Sequence, residues 1–184
     1  MFTRKALCLL IIPLVIEQIL AVTIGMADTV MVARVGEAAV SGISLVDTIN
    51  ILLINIFSAL ATGGAVVSSQ YLGRQENKNA CIAAKQLLWA ILILSSVNMA
   101  LALILRNALL GLIFGHIEAD VMSHAQTYFW LSAISYPFLA IYNSGAALFR
   151  TMGNSKISML TSLLMNVINI SGNAILIFGF NMGV

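Results

Sequence analysis

Three acids and a set of asparagines stand where water is scarce. Glu17, Asp28 and Asp47 fall inside otherwise apolar stretches, and Asn166, Asn169 and Asn173 recur at intervals of three and four inside another. An ionisable side chain at membrane depth is expensive, and it marks either a pathway or a pairing. Asparagine offers a carbonyl oxygen to a cation and an amide donor to a carboxylate, without a permanent buried charge. The spacing places the three asparagines on one face of a helix. If that face meets Asp28, the pair forms an oxygen-rich pocket with one negative charge. Such a pocket suits Na⁺, or its carboxylate suits a proton, and the residue chemistry does not choose between them. Asparagines that simply bond across helices are the competing reading.

Asp28 is the strongest of the acids because Thr29 stands beside it and no Lys or Arg lies within a helical turn. Its bland alternative is a hydrated carboxylate at the outer interface. Glu17 precedes it by eleven residues, which puts the two on nearly the same helix face, separated by roughly 16 Å in depth. Asp47 shares a three-residue spacing with Ser44 and Asn50, a polar strip that either lines water or holds helices together. Glu17, Asp47, Asn50 and Asn166 are therefore candidate cavity-lining residues. Pro13 and Pro137 each delete a backbone hydrogen bond and are candidate helix bends. Ala21 with Gly25, and Ala59 with Gly63, are spaced to let helices approach closely.

The elements that must position these side chains are membrane helices. Of 184 residues, 60% are hydrophobic and only 9% charged, too little polar surface to cover a soluble globule of this size. The fold class is all-α, in a lipid bilayer. Crossing the hydrocarbon core takes about 20 mostly apolar residues. Five stretches qualify, at approximately 6–32, 40–71, 82–105, 127–149 and 158–178. With the N-terminus in the cytoplasm, Arg4, Lys5, Arg74, Lys78, Lys85, Arg150 and Lys156 lie inside, and only Arg34 and Arg106 lie outside. Cytoplasmic loops carry such an excess of basic residues. The first segment is read as a retained helix, since no small-residue cleavage site follows a short apolar core.

The remaining chemistry is sparse. A formal charge of +2 with scattered basic residues gives no nucleic-acid footprint. Cys8 and Cys81 are spaced for neither a zinc site nor a disulfide framework and are read as inert packing residues. His116 and His124 are read as solvated loop residues beside acidic neighbours, not metal ligands. No Ser/His or metal-ligand constellation suggests an enzyme, and the acids lack the local sequence of an intramembrane aspartyl protease. No cofactor is implied beyond a coupling ion.

Four strings in register resemble one family. They are PLVIEQILAVTIGMADTVMVARVGEAAVSG at Pro13–Gly42, GGAVVSSQYLGR at Gly63–Arg74, YPFLAIYNSGAALFRTMGNSKISM at Tyr136–Met159 and NVINISGNAILIFG at Asn166–Gly179. Together they resemble the N-terminal half of a multidrug and toxic compound extrusion (MATE) transporter. The resemblance implies a twelve-helix antiporter of two six-helix bundles, exporting organic cations or other amphipathic small molecules in exchange for Na⁺ or H⁺. It implies coupling-ion binding at Asp28 with Asn169 and Asn173, and a bend at Pro13 that accompanies binding. Where some members have a second aspartate this chain has Asn173, which leaves one acid in the implied pocket. The sixth helix and the whole C-terminal bundle are absent from the sequence, so the chain is expected to be a fragment, with the second bundle as its partner. The resemblance further implies a bacterial cytoplasmic membrane. A lipid-linked oligosaccharide flippase of related fold is the runner-up, and no Lys or Arg falls at mid-span to favour it. A non-transporting fragment that needs a partner half is the alternative from another class.

Overall fold

The structure, a computed structural model, describes residues 4–33, 36–115 and 117–176. Five helices follow one another: α1 (Arg4–Val32), α2 (Glu37–Gly73), α3 (Asn77–Phe114), α4 (Ala119–Thr151) and α5 (Ser155–Ala174). Helices are what an apolar chain forms in lipid, because every backbone N–H and C=O must then be satisfied within the segment. Leu10–Val32, α2 and α3 are long and apolar enough to cross a membrane. Polar side chains dilute α4 and α5, among them Tyr128, Asn169 and Asn173. Arg34 and His116 lie outside the described residues, as does the end of the fifth stretch beyond 176.

Short turns reverse the chain between consecutive helices. At the end of α2, Gln75 adopts a positive φ of 61° and the Glu76 N–H donates to the Tyr71 carbonyl at 3.0 Å. The end of α4 repeats the arrangement with Gly153 at φ 79° and the Asn154 N–H on the Phe149 carbonyl at 2.9 Å. A left-handed residue that lets the next N–H reach back five residues satisfies carbonyls the helix leaves orphaned.

Packing divides the helices into two groups. The most extensive contact is between α2 and α4, and α3 packs against both, while α1 packs chiefly against α5. Contacts between the groups, α4 with α5 and α1 with α2, are light. On α4 the buried series Ala125, Phe129, Ala133, Tyr136, Ala140, Ser144 and Ala147 forms one ridge, whose three- and four-residue steps keep it on a single face. Alanines let the facing backbone approach closely. Phe57 and Tyr136 meet edge to face across it, centroids 6.3 Å apart.

The close approaches fall at glycines other than those expected. A Cβ at Gly25 or Gly63 would meet nothing within 4 Å, and Ala21 and Ala59 are exposed. Gly42 instead lies against the α4 backbone at Val121 and Ala125, and Gly64 lies under the Leu87 side chain. Both cysteines are exposed rather than packed. His124 is on the second turn of α4 and half-buried, not in a loop. Helices α1 and α4 run unbroken through Pro13 and Pro137.

Candidate functional site

The division into two groups leaves a gap, and the polar residues gather in it. A cavity of about 390 Å³ is lined by Gly25, Asp28, Thr29 and Val32 of α1, Val40, Ile43, Ser44 and Asp47 of α2, Tyr128 and Leu131 of α4, and Asn169 and Asn173 of α5 with Leu176 beyond it. The chamber thus lies where α1 and α5 face α2 and α4.

On one wall Asn173 donates through Nδ2 to Asp28 Oδ1 at 2.8 Å, and the same nitrogen lies 3.3 Å from Asn169 Oδ1. The three residues named together by resemblance therefore form one hydrogen-bonded set. Thr29 turns its hydroxyl back to the Gly25 carbonyl at 2.7 Å, so it satisfies its own helix and leaves the carboxylate to Asn173. Asp28 is half-buried and Asn169 exposed to the chamber. Asp28 Oδ2 carries no hydrogen bond from another described side chain, so it stays open to a cation or a proton.

On the facing wall the Tyr128 hydroxyl donates to Asp47 Oδ1 at 2.9 Å. Asp47 is the second acid of the chamber, so the expectation of a single carboxylate in the pocket is corrected. The replaced acid on α5 has a counterpart on α2, contributed by a helix from the other group. Among the described lining residues there is no Lys or Arg, and two carboxylates in a partly enclosed space of low dielectric favour positive charge.

Three candidate cavity-lining residues lie elsewhere. Asn50 is buried, and its Oδ1 accepts from the Tyr136 hydroxyl at 2.9 Å, with its Nδ2 at 3.5 Å from Asp47. One turn along α2 is enough to carry it from the chamber into the α2–α4 interface. Glu17 is also buried. Its two oxygens are taken by the Ser158 hydroxyl at 2.8 Å and by Arg150 Nη2 at 3.6 Å. Eleven residues of helix rise separate it from the chamber. Asn166 is buried on the α5 face toward α1, and its Nδ2 has no hydrogen-bond partner among the described residues.

Spacing alone did not mark Tyr128, Tyr136, Ser158 or Arg150 as the partners of these polar groups. A tyrosine hydroxyl or an arginine placed in apolar surroundings must find a partner, and that requirement was the available signal. Among the described residues no group of three His, Cys, Asp or Glu is placed to hold a metal ion.

Comparison with known proteins agrees with this architecture. The MatE family model matches residues 13–175. The chain belongs to the MatE family. It is 29% identical over 167 residues to YisQ, an uncharacterized transporter of Bacillus subtilis, covering 91% of this chain and 36% of that protein. It is 32% identical over 174 residues to a probable multidrug resistance protein NorM of Chromobacterium violaceum, covering 92% and 36%. A solved multidrug resistance MATE transporter of the MOP superfamily, in its outward-facing conformation, superimposes with a TM-score of 0.90 at 21% identity, over 97% of this chain and 39% of that one. The chain is a multi-pass membrane protein of the transporter fold rather than an enzyme, and it spans a little over a third of the length of these relatives.

Proposed function

We propose that this MatE-family chain forms the N-terminal bundle of a secondary active antiporter. It exports organic cations or other amphipathic small molecules in exchange for Na⁺ or H⁺. The single observation that carries the reading is the chamber in which Asp28, tied to Asn173, faces Asp47, tied to Tyr128. The multidrug names of its relatives supply the substrate class. The N-terminus lies in the cytoplasm of a bacterial cell, and a second bundle completes the substrate path.

In this mechanism the open oxygen of Asp28 takes the coupling ion. Asn169 and Asn173 add neutral oxygens if their amides turn. Asp47 holds a second negative charge whose position is fixed by Tyr128. Because the chamber lies between two groups of helices that touch lightly, an ion bound there contacts both. It can favour one arrangement of the groups only through a difference in its affinity for the two.

The test is Asp28→Asn in the complete protein, expressed in a drug-sensitive bacterial host, with ethidium resistance and its dependence on Na⁺ and pH as the readout. Loss of resistance with normal membrane expression is expected. Resistance and ion dependence left untouched would refute the coupling role.

A further inference from the structure

The chamber's polar wall does not stop at Asn169. On α5 the residues Ser158, Ser162, Asn166, Asn169 and Asn173 recur in steps of four, four, three and four, which at roughly 100° per residue keeps them within about a quarter of the helix circumference. Ser158, Ser162 and Asn166 are all buried although polar. The stripe has an acid at each end: Asp28 on Asn173 at 2.8 Å, and Glu17 on Ser158 at 2.8 Å. It also has a cavity at each end, the Asp28 chamber and a pocket of about 190 Å³ lined by Ser158 with Tyr142, Gly145 and Thr161. On α1 the residues between Glu17 and Asp28 that turn inward are apolar, Leu20 and Ile24 among them.

Midway along the stripe stands Asn166, 7% exposed, with its amide nitrogen bonded to nothing among the described residues. An unsatisfied buried donor of this kind costs about 1–3 kcal/mol, and buried polar groups without protein partners are the usual ligands of internal water. The spacing fits that occupant. Steps of three or four residues are about 4.5–6 Å, and two hydrogen bonds through one water span roughly 5.6 Å. Asn173 and Asn169 are bonded directly, and one water per step would bridge Asn169 to Asn166, Asn166 to Ser162 and Ser162 to Ser158.

We propose that the α1–α5 seam holds a file of internal waters, centred on Asn166, that conducts protons between Asp28 and Glu17. The inference rests on the reading of Asp28 as the coupling carboxylate. A proton leaving Asp28 passes to the first water as that water gives up another proton to its neighbour, and so along the file. The last water delivers one to Glu17 and each water is regenerated. Serine hydroxyls can take part in the transfer, whereas asparagines only hold the waters in place. The charged and titratable groups facing Glu17 are Arg150 and Tyr142, both of α4; those facing Asp28 across the chamber are Asp47 and Tyr128. Protonation of Glu17 removes its charge and releases Arg150, already about a third exposed, toward water.

The experiment uses the complete protein in oriented proteoliposomes, with pyranine trapped inside to report proton flux driven by an ethidium gradient. Asn166→Leu closes the file with a side chain of similar size and should reduce flux by about tenfold, equivalent to roughly 1.4 kcal/mol of barrier, while Asn166→Ser, which still holds water, retains it. Flux unchanged in Asn166→Leu overturns the relay, and so does loss in both variants, which would make Asn166 merely structural. If Asn166→Leu does not fold, Ser162→Ala carries the same test, and undiminished flux again overturns it. Ethidium movement that depends on Na⁺ and not on protons overturns the relay while leaving the Asp28 reading intact. Flux insensitive to Asp28→Asn but lost in Asn166→Leu refutes the Asp28 reading instead, and overturns the relay as a path from that residue.

Discussion

Replacing Gly42 by alanine tests whether α2 and α4 pack against each other as described. A Cβ at this position would lie 2.8 Å from the Val121 carbonyl oxygen, 2.9 Å from the Ala125 amide nitrogen and 3.1 Å from His124 Cβ. Carbon and oxygen ordinarily approach to about 3.3–3.6 Å, so the new methyl intrudes by roughly half an ångström. Two of the three neighbours are helix backbone, which cannot rotate away. Helix α2 must then withdraw from α4. Overpacking of a tight interior costs about 1–3 kcal/mol, and rigid backbone neighbours place this site in the upper half of that range. Against it stands the gain of about 1 kcal/mol from alanine's better helix propensity. Gly63→Ala, on the same helix with nothing within 4 Å of its added carbon, receives the gain without the clash. The propensity gain is common to both variants, so their difference isolates the steric cost, at about 2–3 kcal/mol. The assay is thermal unfolding of the purified variants in one detergent, followed by far-ultraviolet circular dichroism. Gly63→Ala should melt above the parent and Gly42→Ala below it. Equal midpoints would refute the claim that α2 and α4 touch at Gly42. The displacement also has a functional reading, because Asp47 lies five residues along α2 and its bond to Tyr128 crosses the same interface.

Three further outcomes are expected. Tyr136→Phe removes the donor to buried Asn50 Oδ1 and should cost about 1–3 kcal/mol in the same unfolding assay. Adding Asn50→Leu should recover part of that loss, and strictly additive effects would show that the two do not interact. Arg150→Gln leaves Glu17 buried with Ser158 as its remaining partner and should destabilise by about 1–2 kcal/mol, below the full cost of orphaning a buried charge because Arg150 is partly solvated. Glu17→Gln should cost less, since an arginine at the end of α4 can turn to water, and the reverse order would count against the pairing. Cys81 is exposed on the second turn of α3, so with a cytoplasmic N-terminus a membrane-impermeant maleimide should label it in inside-out vesicles and not in intact cells. Labelling in intact cells alone would invert the orientation.

What the sequence made legible and what it hid divide along a physical line. Properties that a single helix determines could be read from spacing: the apolar lengths, the shared face of Asn166, Asn169 and Asn173, and the pairing of Ser44 with Asp47 on the chamber side. Properties that depend on which helix faces which could not. Four-residue spacing marked Gly25 and Gly63, yet spacing is blind to rotation about the helix axis, and the contacts formed at Gly42 and Gly64 instead. The same blindness hid Tyr128 and Tyr136, whose partners lie 81 and 86 residues away.

Both partners advance in the same direction from the first of those contacts to the second, so α2 and α4 run parallel, and α1 with α5 does the same, with offsets of 141 and 145 for Ser158 on Glu17 and Asn173 on Asp28. Each group is therefore tied internally by polar contacts between parallel helices. Between the groups the Glu17 end is held by one ion pair, Arg150 of α4 to Glu17 of α1, while the Asp28 end opens into the chamber. A seam held at one end and open at the other turns most easily about the held end. On the coupling role proposed above, a small change of angle there is amplified at the chamber, where an ion between Asp28 and Asp47 would have the longest lever on the arrangement of the helices.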